Sequence, residues 1–433
     1  MKSGIRNTMV KRAIKSIAII SLLFNAGCVS KSNDGSKNKL DQEMTAEQLL
    51  GNPKYTAISY GGYREKTREV QPTIAELKED MKILSAMGIR ILRTYNVQPN
   101  LPHASNVLEA IRELKTENPG FEMYVMLGAW IDCLNAWTQT PNHEEESPAN
   151  AGEIERAVAL ANKYPDIVKV ISVGNEAMVR WAASYFVRPN IILKWVNHLQ
   201  NLKKEGQLPK DLWITCSDDY ASWGGADPSY RVKDLEDLIV AVDYVSMHTY
   251  PYHNSHYNPA FWKVPDNEMS LSDVEKVDSA MRRALEFAKN QYEIVSGYVK
   301  SIDSTKQVHI GETGWATISN GHYGQRGSRA TDEYKQGLYY KLMRDWTNKN
   351  DISCFYFEAF DEKWKDANNT NGSENHFGLI NLDGQAKYPL WEAVDQGIFD
   401  GLTRDGKKIT KTYDGDKIKL MKDVYVPNTD YHH

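Results

Sequence analysis

Two glutamates follow apolar segments that lie far apart in the sequence. Glu312 comes after the β-branched run 308–310 and Gly311, and Glu176 closely follows the apolar run 167–173. Burying an unpaired acid is costly, so each glutamate needs a reason for its place. An ion pair with a nearby Arg or Lys would explain either one alone. Together they suit glycoside hydrolysis, in which one carboxyl group protonates the leaving oxygen and an ionised partner attacks the anomeric carbon or activates water.

The neighbours of the two glutamates are of types that fit a sugar site. The Asn175 amide could hold a sugar hydroxyl, and the phenol of Tyr250 could donate to Glu312 and keep it ionised. Trp315 would offer a flat apolar surface beside the carboxylate, with Gly314 freeing the backbone for a turn. Two carboxylates a few Å apart cannot both ionise cheaply, so the pKa of one of them should be raised.

Eight apolar, strand-like segments alternate with segments of helical period, and these must position the glutamates. Strands are predicted at 56–60, 89–95, 122–127, 167–173, 212–217, 244–248, 308–310 and 352–357. Helices are predicted from Thr73, where a capping-box pattern begins, and at 106–115, 152–163, 190–204, 235–242, 271–300 and 331–348. This alternation predicts a closed parallel barrel, (β/α)8, as a single catalytic domain. An open doubly wound sheet is the alternative, but no glycine-rich dinucleotide turn follows the first strand.

In such a barrel the chemistry lies at the carboxyl ends of the strands. Glu176 would end the fourth strand and Glu312 the seventh, so both acids would face one cleft. Two long loops, 131–149 and 253–270, would stand on the same rim and shape it. The acidic run 144–146 in the first loop is predicted to be a solvated helix start.

The second loop carries three aromatic residues with two possible roles. Tyr257, Phe261 and Trp262 either stack on sugar or pack the loop onto the barrel, and the sequence favours neither.

Composition limits the other classes of function. The 433 residues are 41% hydrophobic and 25% charged with a net charge of −5, which leaves no basic excess for binding nucleic acid. His248, His253 and His256 have no metal-ligand spacing, so neither a metal nor another cofactor is expected. Cys133, Cys216 and Cys354 are predicted to be free buried thiols, two of them in strand-like runs.

The N-terminus has the pattern of a bacterial lipoprotein signal. Basic residues precede the short apolar run 17–24, and small residues lead to Cys28, the expected site of cleavage and acylation. An ordinary secretory signal with a chance cysteine is the alternative. The predicted division is a signal at 1–28, a flexible tether at 29–45, the barrel at 46–399 and a C-terminal extension at 400–433.

Several motifs together resemble glycoside hydrolase family 17 of clan A, in its bacterial β-1,3-glucanase (laminarinase) form. They are Tyr60-Gly61, Arg93-Thr94-Tyr95, the run from Val173 to Glu176, Tyr250-Pro251, the run from Gly311 to Trp315, and the run from Phe360 to Lys365. The resemblance implies a retaining mechanism with Glu176 as acid/base and Glu312 as nucleophile. It also implies that Glu362 and Lys365 hold the sugar or the charge network of the site. The candidate substrate-binding residues are Tyr60, Arg93, Tyr95, Asn175, Tyr250, Trp315, Phe360, Glu362 and Lys365.

The expected protein is therefore an endo-acting hydrolase of laminarin-type β-1,3-glucan. A β-1,3-glucan transglycosylase on the same scaffold is the first alternative, and a non-catalytic glycan-binding lipoprotein is the second. We expect a monomer held on the bacterial outer membrane by its lipid anchor, facing the cell surface or the periplasm.

Overall fold

The computed structural model describes residues 44–430, which belong to one compact unit. Within that range eight parallel strands close into a barrel in chain order. The strands are β1 (Thr56–Ser59), β2 (Ile89–Arg93), β3 (Tyr124–Ala129), β4 (Val168–Asn175), β5 (Trp213–Asp219), β6 (Val245–His248), β7 (Val308–Gly314) and β8 (Cys354–Phe357). Ile58 of β1 pairs with Tyr356 of β8 and completes the circle. The predicted (β/α)8 fold is confirmed, and the open doubly wound sheet is excluded.

Long helices follow the strands and cover the outside of the barrel. They are α1 (Ile74–Ala86), α2 (His103–Glu117), α3 (Ala149–Lys163), α4 (Pro189–Lys204), α5 (Lys233–Ala241), α6 (Asp273–Ile302) and α7 (Glu333–Lys349). Short helices lie at Ala46–Leu49, Pro251–Tyr257, Trp391–Asp395 and Lys417–Met421. The capping box expected at Thr73 is present. The Thr73 hydroxyl accepts from the Glu76 N–H, and the Glu76 carboxylate accepts from the Thr73 N–H. No helix of the described part is long and apolar enough to cross a membrane.

The apolar residues form two main layers. The larger cluster lies between the strands and the helices, and a smaller one includes the inward-facing Ala57, Ile91 and Met126. The short helix Ala46–Leu49 packs against this smaller cluster through Ala46 and Leu49. One end of the barrel is therefore filled with apolar side chains, which leaves polar chemistry to the other end.

The acidic run 144–146 does not start a helix. It belongs to a strand, Asn142–Glu146, that pairs antiparallel with Cys133–Leu134. Glu144 pairs with Arg188, and Glu146 pairs with Lys194 and accepts from the Trp195 indole at 2.6 Å. These basic and indole partners, supplied by the start of α4 and the residue before it, satisfy the acids in an extended conformation.

The loop 253–270 packs onto the barrel. Trp262 is fully buried and its indole donates to the Ser328 carbonyl at 2.7 Å, while Phe261 packs against Phe287 with ring centroids 4.5 Å apart. Tyr257 is 65% exposed. Packing, rather than sugar stacking, therefore explains Phe261 and Trp262.

The C-terminal residues up to 430 also pack on the barrel. Buried Arg404 donates to Asp80 of α1 at 2.9 Å, and Thr412 donates to Glu333 of α7 at 2.6 Å. Cys133, Cys216 and Cys354 are buried free thiols, as predicted. The predicted signal, Cys28 and almost all of the predicted tether lie outside the described residues.

Candidate active site

A cavity of about 410 Å³ opens at the carboxyl ends of the strands. Asn175 and Glu312 are among the residues that line it, as the barrel predicts for residues of β4 and β7. Aromatic side chains from the loops after β1, β3 and β8 form its walls, namely Tyr63, Trp130, Trp137 and Trp364. The size and the mixed polar and aromatic lining suit a short stretch of polysaccharide.

Glu312 lies inside β7 rather than beyond its end. The strand continues to Gly314 because Glu312 pairs with His248 of β6, and Gly314 pairs with Phe357 of β8. Gly311 therefore does not close the strand, and Gly314 makes no turn. A Cβ on Gly314 would lie 2.0 Å from the Phe357 carbonyl oxygen, so this glycine permits close packing of β7 on β8.

Three donors surround the Glu312 carboxylate. Tyr250 donates to Oε1 at 2.6 Å, and Tyr95 donates to Oε2 at 2.8 Å. The buried Arg93 guanidinium pairs with Oε2 as well. Tyr250 therefore occupies the position predicted for it, and Arg93 and Tyr95 reach the same carboxylate.

These partners keep Glu312 ionised. Burial alone would raise the pKa, but the charges of His248 and Arg93 and the two phenol hydrogen bonds lower the pKa of Glu312 to about 2. Burial also lowers the pKa of His248 to about 4, which leaves its ring neutral near pH 7. Near neutral pH the ionised state of Glu312 therefore depends on Arg93 and the phenols rather than on His248.

Glu176 directly follows β4 in a left-handed backbone conformation, with φ of 48°. A non-glycine residue rarely adopts this conformation, which often occurs at functional sites where the surroundings hold it. Its N–H donates to the Ser217 carbonyl at 3.0 Å, and its Oε1 lies 2.9 Å from His248 Nδ1. Burial and the nearby Glu312 charge raise the pKa of Glu176 to about 8. Glu176 therefore carries a proton at neutral pH.

The two carboxylates are close enough for a retaining reaction. One oxygen of Glu176, one of Glu312 and one nitrogen of His248 all lie within 4.8 Å of one another. Retaining enzymes place the two carboxyl groups ~5–5.5 Å apart, whereas inverting enzymes leave a wider gap for water. The same three side chains could hold a metal ion, and the expectation of no metal stays a prediction.

His248 is a site residue that the sequence analysis considered only as a metal ligand. Its Nε2 lies 2.8 Å from the Ser217 hydroxyl, which is 2.9 Å from the Ser246 hydroxyl. The ring is therefore held between Ser217 and Glu176, and Ser246 contacts the Ser217 hydroxyl from the other side. Its position at the end of a predicted strand, two residues before Tyr250, was the only feature of the sequence that could have indicated a place in the site.

Arg93 also orients Asn175. Its Nη2 donates to Asn175 Oδ1 at 2.5 Å, and its Nη1 donates to the Gly311 carbonyl at 3.0 Å. The Asn175 oxygen is thereby occupied, which leaves its NH2 group to donate to a sugar hydroxyl, as the sequence suggested.

Glu362 and Lys365 form a charge network at the β8 side of the cavity. Glu362 accepts from the Tyr63 N–H at 2.8 Å and the Trp364 indole at 3.1 Å. Lys365 donates to Glu358 at 2.6 Å and lies 3.4 Å from Glu362. Buried Glu358 completes the network and was not among the predicted site residues.

Four predicted substrate-binding residues are not among those that line the cavity. Arg93 and Tyr250 contact Glu312 instead, whereas Trp315 and Phe360 contact neither carboxylate. Trp315 is fully buried, because its indole donates to the Ala330 carbonyl at 2.7 Å and its ring packs against Trp262. Phe360 is buried between Tyr60 and Arg404. The prediction that Trp315 and Phe360 contact sugar is wrong, since both support the site from behind.

The predicted residue Tyr60 does line the cavity, and its hydroxyl donates to Asp80 at 2.9 Å. Tyr63 and Trp364, which the sequence analysis did not select, flank it there. Tyr63 lies two residues after the Tyr60-Gly61 motif and Trp364 lies within the run from Phe360 to Lys365, and these positions were the only signal for them.

Comparison with known proteins gives a consistent match. The family model of the BtgE/BtgC glycoside hydrolase domain matches residues 57–378. A crystal structure of an endo-laminarinase from Formosa Hel1_33_131 is 63% identical, covers 90% of this chain and 99% of its own, and has a TM-score of 0.88. A glycoside hydrolase family 17 β-1,3-glucanosyltransferase from Rhizomucor miehei is 19% identical over 78% of this chain and 96% of its own, with a TM-score of 0.53, and shares the fold.

Fungal relatives are more distant. A glucan 1,3-beta-glucosidase from Arthroderma benhamiae is 27% identical and covers 72% of this chain and 83% of its own length. Three Aspergillus relatives are each 24% identical, and the chain spans about half of their length, 46% or 47%.

Proposed function

Since the chain belongs to the BtgE/BtgC glycoside hydrolase domain family, we propose that it hydrolyses β-1,3-glucosidic bonds within laminarin-type glucan and retains the anomeric configuration. The resemblance to a family 17 glycoside hydrolase that the motifs indicated is confirmed. The observation that carries the chemistry is the opposed protonation of two facing carboxyl groups, with the pKa of Glu176 at about 8 and that of Glu312 at about 2.

The proposed reaction has two steps. Ionised Glu312 attacks the anomeric carbon, while protonated Glu176 gives its proton to the leaving oxygen. Glu176, now ionised, then removes a proton from water, which attacks the same carbon and releases Glu312. Asn175 donates its amide to the sugar beside the reacting carbon, and Tyr95 and Tyr250 hold Glu312 in line.

The substrate and the endo mode of action are supported by similarity and by the shape of the site. The 63%-identical structure is that of an endo-laminarinase. Trp137, which is 62% exposed, Glu312 and Trp364 all line this cavity, so a glucan chain could contact both indoles beside the nucleophile. Transfer to a second sugar instead of water would use the same residues, and no feature of the site favours it.

Incubation with laminarin and chromatography of the products test the proposal. We expect a ladder of short β-1,3-linked oligosaccharides to appear early, with the β-anomer released first by proton NMR. Glu312→Gln should lower kcat by several orders of magnitude, because no carboxylate remains to attack. Glu155→Gln, an exposed acid on α3, is the matched control and should keep full activity.

Each alternative has its own outcome in that experiment. Products longer than a supplied oligosaccharide would favour the transglycosylase. Near-normal hydrolysis by Glu312→Gln would contradict the assigned nucleophile. Binding of laminarin without any cleavage would favour the glycan-binding protein.

We also propose that an acylated Cys28 anchors the protein, as a monomer, to the bacterial outer membrane, facing the cell surface or the periplasm. The basic residues and apolar run before Cys28 support it. Palmitate labelling of the expressed full chain tests it, and Cys28→Ala should abolish the label. Gel filtration of the protein without residues 1–28 tests the monomer.

A further inference from the structure

The loop after β3 presents an exposed tryptophan to the cavity. Trp137 is 62% exposed and lines the cavity. Trp181, on the loop after β4, is 64% exposed but is not among the residues that line it. Leaving a large apolar ring in water is unfavourable, and such exposure on a soluble protein marks a contact site when the ring borders a cleft.

Three contacts hold Trp137 in place although it is exposed. Its N–H donates to the Ser184 carbonyl at 2.8 Å, and its ring stacks on Tyr185 with centroids 4.8 Å apart and planes 21° apart. The Trp137 ring also stacks on Trp130, with centroids 6.5 Å apart, and the Trp130 indole donates to Asp132 at 2.7 Å. The ring is therefore fixed before any ligand arrives.

The backbone of Trp137 points to the same conclusion. Its φ of 65° lies in the left-handed region, which a bulky residue rarely adopts. Residues keep such conformations when their surroundings impose them, often where a ligand is clamped. The loop thus holds Trp137 in an unfavourable backbone conformation in which its ring lines the cavity.

We propose that Trp137 is a stacking platform for a glucosyl unit of the substrate other than the two that flank the bond that is cut. The apolar C–H face of a pyranose would cover the exposed face of the indole, and the opposite face already rests on Tyr185. Trp364, which follows β8 three strands away around the barrel, lines the same cavity. The platform rests on the proposed function, and it predicts that affinity rises with the length of the glucan.

Binding to oligosaccharides of different length tests the platform. Calorimetry in the Glu312→Gln background would compare linear β-1,3-linked glucose hexamer and trimer. Trp137→Ala should weaken hexamer binding about tenfold and trimer binding less than about twofold. Trp137→Phe should restore most of the hexamer affinity because it restores an aromatic face. Trp181→Ala, equally exposed outside the cavity, should change neither affinity.

A second readout separates stacking from a structural role. Binding of the hexamer should shift the tryptophan emission to shorter wavelength, and Trp137→Ala should remove most of that shift. An equal loss of affinity for trimer and hexamer, or an effect of Trp181→Ala equal to that of Trp137→Ala, would overturn the platform.

The platform and the proposed function fail in different ways. Hydrolysis of laminarin by the unsubstituted enzyme, together with unchanged hexamer binding by Trp137→Ala, overturns the platform alone. Absence of both hydrolysis and hexamer binding in the unsubstituted protein overturns the proposed function and the platform with it.

Discussion

Two residues of the same type have opposite protonation states in this site because their partners differ. Glu312 receives two phenol hydrogen bonds and the Arg93 guanidinium, which stabilise its charge. The Glu176 side chain, which is only 15% exposed, lies beside that charge and a neutral imidazole, so its protonated form is favoured. One carboxyl group can therefore act as an acid and the other as a nucleophile at the same pH.

This difference predicts the pH dependence of kcat/KM. Activity requires ionised Glu312 and protonated Glu176. The value of kcat/KM should therefore fall above about pH 8, where Glu176 ionises, and fall again near pH 2, where Glu312 becomes protonated and sets the acid limb of the profile. Tyr250→Phe removes one donor to Glu312, so the pKa of Glu312 rises and the acid limb moves up by about one pH unit. Tyr252→Phe, a buried phenol two residues away, should leave that limb in place. An acid limb that does not move in Tyr250→Phe would contradict the assigned role.

At the scale of single residues, the sequence predicted the chemical roles of side chains better than the directions in which the side chains point. Glu176, Glu312 and the donation by Tyr250 could be inferred because their residue types suit the reaction at strand ends. The burial of Trp315 could not, since its partner Ala330 and its neighbour Trp262 come from segments whose positions only the fold determines. His248 was missed for a similar reason, because its role depends on Ser217 of the adjacent strand.

At the scale of elements, Gly311 shows how one strand supports the residues of its neighbours. A Cβ at Gly311 would lie 2.1 Å from the Ser246 hydroxyl and 2.5 Å from the Ser217 hydroxyl. Ser246 of β6 contacts the hydroxyl of Ser217 of β5, Ser217 hydrogen-bonds His248, and His248 contacts Glu176. The missing side chain on β7 therefore makes room for the hydrogen bonds that position the acid.

Gly311→Ala should move both serine hydroxyls and disturb His248. We expect kcat to fall about tenfold and the free energy of unfolding to fall by about 1–3 kcal/mol, as in other overpacked cores. Gly297→Ala is the matched control, because nothing lies within 4 Å of that position on helix α6 and alanine favours a helix. Steady-state kinetics and urea unfolding measure both effects. Wild-type kinetics in Gly311→Ala would show that the serines do not position the acid.

The elements themselves were predictable, whereas their ends and the small additions were not. Apolar runs revealed all eight strands, but β4 and β7 extend through Gly and polar residues that resemble loop sequence. The sequence predicts a helix start at 144–146, because these acids look solvated in isolation, but they belong to the strand Asn142–Glu146. Arg188 and Lys194, about fifty residues later, satisfy two of them.

At the scale of the whole molecule, the barrel was predictable from the alternation of strands and helices, but the attachment of the C-terminal residues was not. The segment after residue 399 is polar and gave no strong pattern. In the structure it supplies a cation to the fully buried Asp80 and places Leu420 in the main core. Arg404 also packs on Phe360, which packs on Tyr60 in the cavity wall. The segment therefore contacts the cavity wall indirectly, through Arg404 and Phe360.

Removal of residues 400–433 should therefore destabilise the barrel. The barrel surface against which Ile409 and Leu420 pack becomes exposed, and Asp80 keeps only Arg64 as a cation. Together these losses lower the free energy of unfolding by on the order of 5 kcal/mol. A typical domain is stable by only ~5–15 kcal/mol, so the urea midpoint should fall markedly in a single transition followed by tryptophan fluorescence. Removal of residues 429–433 is the control and should have little effect, because Asn428 keeps its hydrogen bond to the Ser328 carbonyl at 3.1 Å. If both truncated proteins unfold at the same urea concentration as the full-length protein, the segment contributes nothing to the stability of the barrel.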